Sequence, residues 1–264
     1  MCLPMSAIKL GAQLYTLREF IQTRDDFEAT LRYLAGIDIH LIQISGIGPI
    51  PAEEIAALTQ AYGMEVCVTH TSFDRMQTEL DAVMAEHRLF HCDTLGIGAM
   101  PDKYRGSLEG VKEFIRIASE IGRRMHENGL QFAYHNHAFE FARLENGARI
   151  FDYLIESTQP EFFSFIGDTY WFQYGGVNPA DYIRKLNGRM KVCHFKDYKI
   201  LNGQPTFAEI GTGNLDLDAC YLACRDAGVK DIVIEQDTCE IDPRESMAIS
   251  YRNLIKIAER NQVK

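Results

Sequence analysis

The chain has 264 residues, of which 46% are apolar and 24% charged, and this ordinary globular composition excludes a disordered or coiled-coil protein. The 27 Lys and Arg against 37 Asp and Glu give a formal net charge of −10 at pH 7, so the mean field repels nucleic acid and anionic membrane surfaces. No apolar run approaches the roughly 18 residues that cross a bilayer, so we expect neither a nucleic-acid nor a membrane partner.

Along the chain, short apolar runs alternate with longer amphipathic stretches. The short runs are rich in β-branched and aromatic residues, as strands buried on both faces should be. In chain order, the predicted strands are residues 8–14, 39–44, 65–70, 94–97, 130–135, 162–167, 190–195 and 231–235. The predicted helices that follow them are residues 24–34, 52–62, 73–90, 108–128, 148–156, 179–186, 217–227 and 243–260. The helix over 52–62 has typical end signals, with Pro51 before it and Gly63 after it.

Strict alternation of eight strands with eight helices predicts parallel pairing and right-handed crossovers. Eight such units in this length match a closed (β/α)8 TIM barrel of the α/β class, which typically needs about 250 residues. A doubly wound sheet would need a glycine-rich phosphate loop after its first strand, and residues 13–18 contain no glycine. Because no linker or composition shift divides the chain, we expect one domain over residues 1–264.

The cysteines and the N-terminal residues indicate a cellular compartment. The seven cysteines are odd in number and include no Cys-x-x-Cys pair, which favours reduced, mostly buried thiols. Residues 1–5 lack the basic and long apolar regions of a signal peptide. Both observations predict a cytoplasmic protein.

Polar side chains collect where the predicted strands end, which is the face that carries the active site of a barrel. Acids and imidazoles recur there on five strands, and converging carboxylates repel one another unless a cation or protons compensate. Mixed oxygen and nitrogen ligands suit one divalent ion such as Mn²⁺, Zn²⁺, Co²⁺ or Mg²⁺. The candidates are Gln13 and Tyr15, Gln43 and Ser45, His70, then His135, His137 and Glu140, then Asp168, then His194, Lys196 and Asp197, and finally Glu235, Gln236 and Asp237.

Six segments, in order along nearly the whole chain, resemble the sugar phosphate isomerase/epimerase group of xylose isomerase-like TIM barrels. They are GAQLYTLR at 11–18, YHNHAFEF at 134–141, GDTYW at 167–171, HFKD at 194–197, EIGTG at 209–213 and IEQD at 234–237. The Gly211-Thr212-Gly213 part of the fifth segment is typical of a turn rather than of a phosphate site.

The resemblance implies that Asp168, His194 and Glu235 are metal ligands. The family's remaining ligand is a Glu after the fifth strand, where this chain has His135 followed by Asn136. Either Glu140 or His135 then completes the set, and we favour Glu140 because the segment retains an acid there. A second departure is Gln43, since relatives often have Glu at that position.

The same resemblance implies a metal-dependent isomerase or epimerase that acts on a sugar or keto-sugar, phosphorylated or not, through a cis-enediolate. Glu235 is then the expected base and Glu140 its catalytic partner. Four further residues are expected to bind substrate hydroxyls or stabilise oxyanion charge, namely His70, His135, His137 and Lys196. The expected partner is a small carbohydrate, and a homo-oligomer is compatible with the sequence.

Three alternatives to this hypothesis are considered. A dehydratase or lyase on a keto-sugar or 3-keto-glycoside would share the first steps and then expel a β-oxygen, with the histidines beside Glu140 as general acid. A DNA repair endonuclease of the same superfamily needs more metal ligands and a surface that attracts DNA, which the net charge disfavours. A barrel that binds a sugar without turnover is disfavoured by the apparently intact ligands.

Overall fold

Eight parallel strands close into a barrel in the computed structural model, which describes residues 7–262. The described chain has ten strands, of which β8 and β9 form a separate antiparallel hairpin and the other eight form the barrel. In chain order they are β1 Lys9–Gln13, β2 Leu41–Ile44, β3 Glu65–His70, β4 Thr94–Ile97, β5 Gln131–His135, β6 Ser164–Asp168, β7 Met190–Phe195, β8 Asp197–Leu201, β9 Gln204–Ala208 and β10 Asp231–Ile234. The order around the barrel is β1-β2-β3-β4-β5-β6-β7-β10, and β10 pairs with β1 to close it. The predicted α/β fold, a single (β/α)8 barrel, is confirmed.

Helices surround this barrel on its outside. They are α1 Arg24–Gly36, α2 Ala52–Ala61, α3 Phe73–Thr78, α4 Leu80–Leu89, α5 Leu108–Glu127, α6 Ile150–Ser157, α7 Thr169–Tyr174, α8 Pro179–Lys185, α9 Leu217–Asp226 and α10 Pro243–Gln262, with 3-10 turns at Leu14–Phe20, Asp102–Tyr104 and Phe139–Phe141. Local capping fixes several starts: the Thr23 hydroxyl accepts a hydrogen bond from the Asp26 amide, and Asn178 caps α8 ahead of Pro179. None of the helices described combines the length and apolarity needed to cross a bilayer.

The barrel interior is a packed core rather than a pore. Its lower apolar layer consists of Leu41, Cys67, Val68, Ala133, Ile166, Val192 and Val233, all buried. Side chains two residues apart on a strand share a face, so the next inward residues on these strands lie directly above this layer. The local sequence thus places an apolar floor beneath the polar residues at the ends of β2, β3, β5, β6, β7 and β10.

The structure differs from the sequence prediction in three elements. The helix predicted over 73–90 is broken at Glu79, whose backbone leaves the helical region at φ −134° and ψ 31°. Helix α7 and the β8–β9 hairpin were absent from the prediction. The hairpin turns at Asn202 and Gly203, both with positive φ, and an Asn-Gly pair is the strongest local hairpin signal.

The six cysteines that the structure describes are all free, and five of them are buried. Cys2 and the rest of residues 1–6 lie outside the described part of the chain. The prediction of unpaired, mostly buried thiols therefore agrees with the part of the chain that the structure covers.

Candidate active site

A cavity of about 550 Å³ opens at the end of the barrel where the strands finish. Its lining includes His70, His135, His137, Glu235 and Asp237. These residues come from the ends of β3, β5 and β10 or from the loops directly after them. A concave pocket with a few converging polar groups is the usual form of a small-molecule site.

Four buried side chains at the floor of this cavity form a group that could hold a metal ion. One ligand atom from each of His135, Asp168, His194 and Glu235 lies within 4.8 Å of the others. His135 and Asp168 are the last residues of β5 and β6, Glu235 directly follows β10, and His194 lies one residue before the end of β7. All four stand two residues above a member of the lower apolar layer, so the barrel holds them on a rigid base.

Backbone contacts fix the tautomer of His135. Its Nδ1 lies 3.0 Å from the carbonyl oxygen of Gly98, which can only accept a hydrogen bond, so Nδ1 carries the hydrogen. The neutral ring then points the lone pair of Nε2 at Asp168 Oδ2, 3.4 Å away. Two electron-rich atoms this close need a proton or a cation between them. Burial acts to lower the pKa of His135, but Asp168 and Glu235 outweigh it and raise that pKa.

The carboxylate of Asp168 is oriented by the start of α7, the helix that sequence reasoning missed. Asp168 caps this helix, and its Oδ1 accepts a hydrogen bond of 3.0 Å from the Trp171 amide. Its own amide donates to Asn136 Oδ1 at 3.0 Å. The cap leaves Oδ2 turned toward His135 and the rest of the group. An Asp at the end of a strand, followed by helix-compatible residues, is the capping signal that could have revealed α7.

Lys196 supplies a buried positive charge to the same carboxylates. Its Nζ lies 3.2 Å from Asp168 Oδ2, 3.1 Å from Glu235 Oε2 and 3.1 Å from Asp237 Oδ1, and only 1% of the residue is exposed. Burial acts to lower the pKa of Lys196, but these three acids outweigh it and raise the pKa above its ordinary value. Three carboxylates and one ammonium leave a net charge of −2, which a divalent cation would balance.

Glu140 lies outside the metal-capable group, contrary to the sequence-based preference. The 3-10 turn Phe139–Phe141 carries its carboxylate away from Asp168 and toward the base of the loop. There it accepts hydrogen bonds from the Tyr134 hydroxyl at 2.6 Å and from the His137 amide at 2.9 Å. Burial raises the pKa of Glu140 to about 7. The geometry therefore favours His135 over Glu140 as the fourth ligand, and Glu140 supports the His137 loop.

His70 and His137 line the cavity, and each has one ring nitrogen without a hydrogen-bond partner among the described residues. Nε2 of His70 and Nδ1 of His137 are buried and lack a hydrogen-bond partner in the described part of the chain. Burial lowers the pKa of His70 well below its ordinary value and lowers that of His137 to about 3. Neutral rings with an unengaged nitrogen can donate to or accept from sugar hydroxyls.

The loop at residues 211–213 donates its amides to the protein itself. The buried carboxylate of Asp197 accepts from the amides of Gly211 at 2.9 Å and Gly213 at 3.0 Å, and also from Tyr198 and Leu215. A Cβ at Gly213 would lie 2.5 Å from Asp197 Oδ1, so the close approach requires glycine. As the sequence indicated, the segment serves as a turn, and its amides are already engaged.

Comparisons with known proteins agree with this fold. A family model described as xylose isomerase-like TIM barrel matches residues 31–257. Among solved structures, a sugar phosphate isomerase/epimerase from Parabacteroides distasonis is 21% identical with a TM-score of 0.80, covering 95% of this chain and 98% of its own. No curated protein matches the sequence.

Two further solved structures resemble the chain at lower identity. The IOLI protein with a zinc atom is 12% identical, with a TM-score of 0.72 over 96% of this chain and 99% of its own. An L-ribulose 3-epimerase is 16% identical, with a TM-score of 0.72 over 97% of this chain and 96% of its own. Similarities of this size establish a shared fold.

Proposed function

Because the chain belongs to the xylose isomerase-like TIM barrel family, we propose that it is a metal-dependent isomerase or epimerase of a sugar or keto-sugar. The observation that carries the proposal is the buried group of His135, Asp168, His194 and Glu235 at the floor of the 550 Å³ cavity. Two imidazoles with two carboxylates suit Mn²⁺, Zn²⁺ or Co²⁺ better than Mg²⁺, which prefers oxygen ligands. One structural neighbour holds a zinc atom and another is named an L-ribulose 3-epimerase, and both support the proposal.

The bound ion would polarise a substrate carbonyl and acidify the neighbouring C–H bond. Glu235 is the proposed base, because it belongs to the metal-capable group and also lines the cavity. Its Oε2 contacts His194 and Lys196, whereas no hydrogen bond from the described residues engages Oε1. Burial acts to raise the pKa of Glu235, but Lys196 and His194 outweigh it and hold that pKa well below its ordinary value. The carboxylate is therefore ionised at neutral pH, as a base must be.

Removal of that proton gives a cis-enediolate, and its return at the other carbon or the other face completes isomerisation or epimerisation. Glu235 can return the proton itself to the neighbouring carbon on the same face, which gives isomerisation, whereas epimerisation needs a second acid on the opposite face. Glu140 does not supply that acid, since its carboxylate is bonded to Tyr134 and to the His137 amide and is not among the cavity-lining residues. His70 and His137 line the cavity and are the proposed partners of substrate hydroxyls. Lys196, which contacts Oε2 of the base, compensates the negative charge that develops beside it.

The loop at residues 211–213 favours an uncharged sugar or keto-sugar as the substrate. The amides of Gly211 and Gly213 donate to Asp197, so they do not form a cradle for a phosphate. The cavity lining also carries two acids, Glu235 and Asp237, against one cation, Arg18. Both features favour hydroxyl recognition over anion recognition.

The test is solvent deuterium exchange into a panel of ketoses and keto-sugars with metal-loaded protein. Glu235→Gln should lower the exchange rate by on the order of 10²-fold or more, the scale of general base catalysis. Metal occupancy is measured on the same sample, because loss of a ligand would mimic loss of the base. Glu240→Gln is the control, since it makes the same Glu-to-Gln change at an exposed residue soon after β10 that belongs neither to the cavity lining nor to the metal-capable group.

Unchanged exchange in metal-loaded Glu235→Gln would show that another group is the base. Exchange without net elimination in the wild-type protein supports the isomerase or epimerase. Release of water or of an aglycone would assign the dehydratase or lyase instead. If metal-loaded protein exchanged deuterium into none of the sugars of the panel, the proposed substrate class would be contradicted.

A further inference from the structure

We propose that Gln43 is a positioning residue that selects the tautomer of His194 and thereby sets the affinity of the site for a divalent metal. This inference rests on the metal site of the proposed function. It concerns a residue on β2, 151 positions from His194 in sequence, whose side chain belongs neither to the metal-capable group nor to the cavity lining.

The contact between these two residues is short and completely buried. Gln43 Oε1 lies 2.7 Å from His194 Nε2, and both residues have 0% exposure. The other ring nitrogen, Nδ1, lies 2.8 Å from Glu235 Oε2 and 3.8 Å from Asp168 Oδ2. His194 therefore faces the metal-capable group with Nδ1 and faces Gln43 with Nε2.

The orientation of the Gln43 amide decides which nitrogen carries the hydrogen. With Oε1 toward the ring, as the structure has it, Nε2 donates to Gln43 and the lone pair of Nδ1 is free for a metal. With the amide turned over, its NH₂ group donates to Nε2, so the hydrogen moves to Nδ1 and is donated to Glu235. The first state binds a metal, and the second blocks the ligand nitrogen with a hydrogen.

The Gln43 amide is not locked by other contacts. Its Nε2 is buried without a hydrogen-bond partner among the described residues, so no second contact opposes the turn. His135 differs, because its Nδ1 faces the Gly98 carbonyl, which can only accept. The two histidines of the metal-capable group are therefore held differently. The Gly98 carbonyl fixes the tautomer of His135, whereas the tautomer of His194 depends on the Gln43 amide, which can accept a hydrogen bond through its oxygen or donate one through its NH₂ group.

Gln13 offers a matched control on the neighbouring strand. It is the register partner of Gln43, it has 0% exposure, and its Nε2 also lacks a partner in the described part of the chain. Its Oε1 accepts from the Tyr15 amide and not from a metal-capable residue. Gln13→Met and Gln43→Met therefore make the same chemical change in nearly the same place, and only the second removes the contact with His194.

The experiment measures zinc affinity by competition with a chromogenic chelator. Gln43→Met should bind Zn²⁺ at least about tenfold more weakly than the wild type, the usual cost of losing a residue that orients a ligand. Gln13→Met should stay close to the wild type. Gln43→Glu, which can accept from Nε2 but cannot donate to it, should restore most of the affinity. Thermal unfolding of the metal-free proteins checks that each variant folds.

A second readout needs no variant. In zinc-loaded wild-type protein labelled with ¹⁵N-histidine, the His194 ring should show a hydrogen on Nε2 and none on Nδ1. A hydrogen on Nδ1, or equal zinc affinity in the wild type and a folded Gln43→Met protein, would overturn the role of Gln43 while leaving the metal site intact. Failure of the wild type to bind zinc or any other divalent ion would instead overturn the metal site, and this inference with it.

Discussion

Replacing Glu140 with Gln should make the stability of the protein less sensitive to pH. In the folded chain, burial raises the pKa of this carboxyl to about 7 from an ordinary value of 4.5. A raised carboxyl pKa means that the fold favours the protonated form, so this part of the stability is present below pH 4.5 and is lost as the pH rises to 7. At 1.36 kcal/mol for each pKa unit, the loss is about 3 kcal/mol.

The measurement is urea unfolding of metal-free wild-type and Glu140→Gln protein between about pH 4.5 and about pH 7.5. Other titrating groups, such as the buried Asp231, whose pKa is raised to about 6, cancel when the two proteins are compared at each pH. The unfolding free energy of the wild type should fall by about 3 kcal/mol relative to the variant over this range. The amide can retain the contacts with Tyr134 and His137, since the hydroxyl is able to accept as well as donate.

Parallel stability curves for the two proteins would refute this reasoning. They would mean that Glu140 ionises in the fold as easily as in the unfolded chain, and that its contacts with Tyr134 and the His137 amide compensate its burial. A steeper fall of the unfolding free energy with pH in the variant than in the wild type would also contradict it, because the expected difference has the opposite sign. The result is independent of the metal, because both proteins are measured without it.

Two further outcomes follow from the site and its supporting loop. His135→Asn should lower Zn²⁺ affinity by about tenfold or more, whereas Glu140→Gln should change it little; the reverse order in a chelator competition would return the fourth ligand to Glu140. Asp197→Ala should lower the unfolding free energy by about 2 kcal/mol or more, because the amides of Gly211 and Gly213 lose a buried acceptor, and an unchanged urea midpoint would contradict that role.

The barrel could be predicted from the sequence because its signals are local. A strand buried on both faces is a short apolar run wherever it lies, and eight such runs alternating with amphipathic helices leave few topologies. The strands over Glu65–His70, Thr94–Ile97 and Met190–Phe195 were predicted to the residue. The hairpin and α7 were missed although Asn202-Gly203 and the capping Asp168 are local signals too.

The location of the site was also readable, since every strand of a parallel barrel delivers its last residues to one end. The sequence did not show which of those residues contact one another. His135 and Glu140 are five positions apart, and only the path of the Phe139–Phe141 turn sends the acid to Tyr134 and leaves the imidazole beside Asp168. No periodicity encodes that turn's direction.

Contacts across the barrel belonged entirely to the tertiary structure. Lys196 meets three acids from two other segments, and Gln43 meets His194 over 151 positions. Alternation along one strand determines which side chains point inward, because successive residues face opposite sides. The distance between inward side chains on different strands depends on barrel closure and on register, including the shifts between Ile42 and Gln43 and between Phe165 and Ile166. Those shifts arise from the packing of the whole chain, so the sequence by itself determined the fold and the end of the barrel that carries the site, and the tertiary structure decided the partners within it.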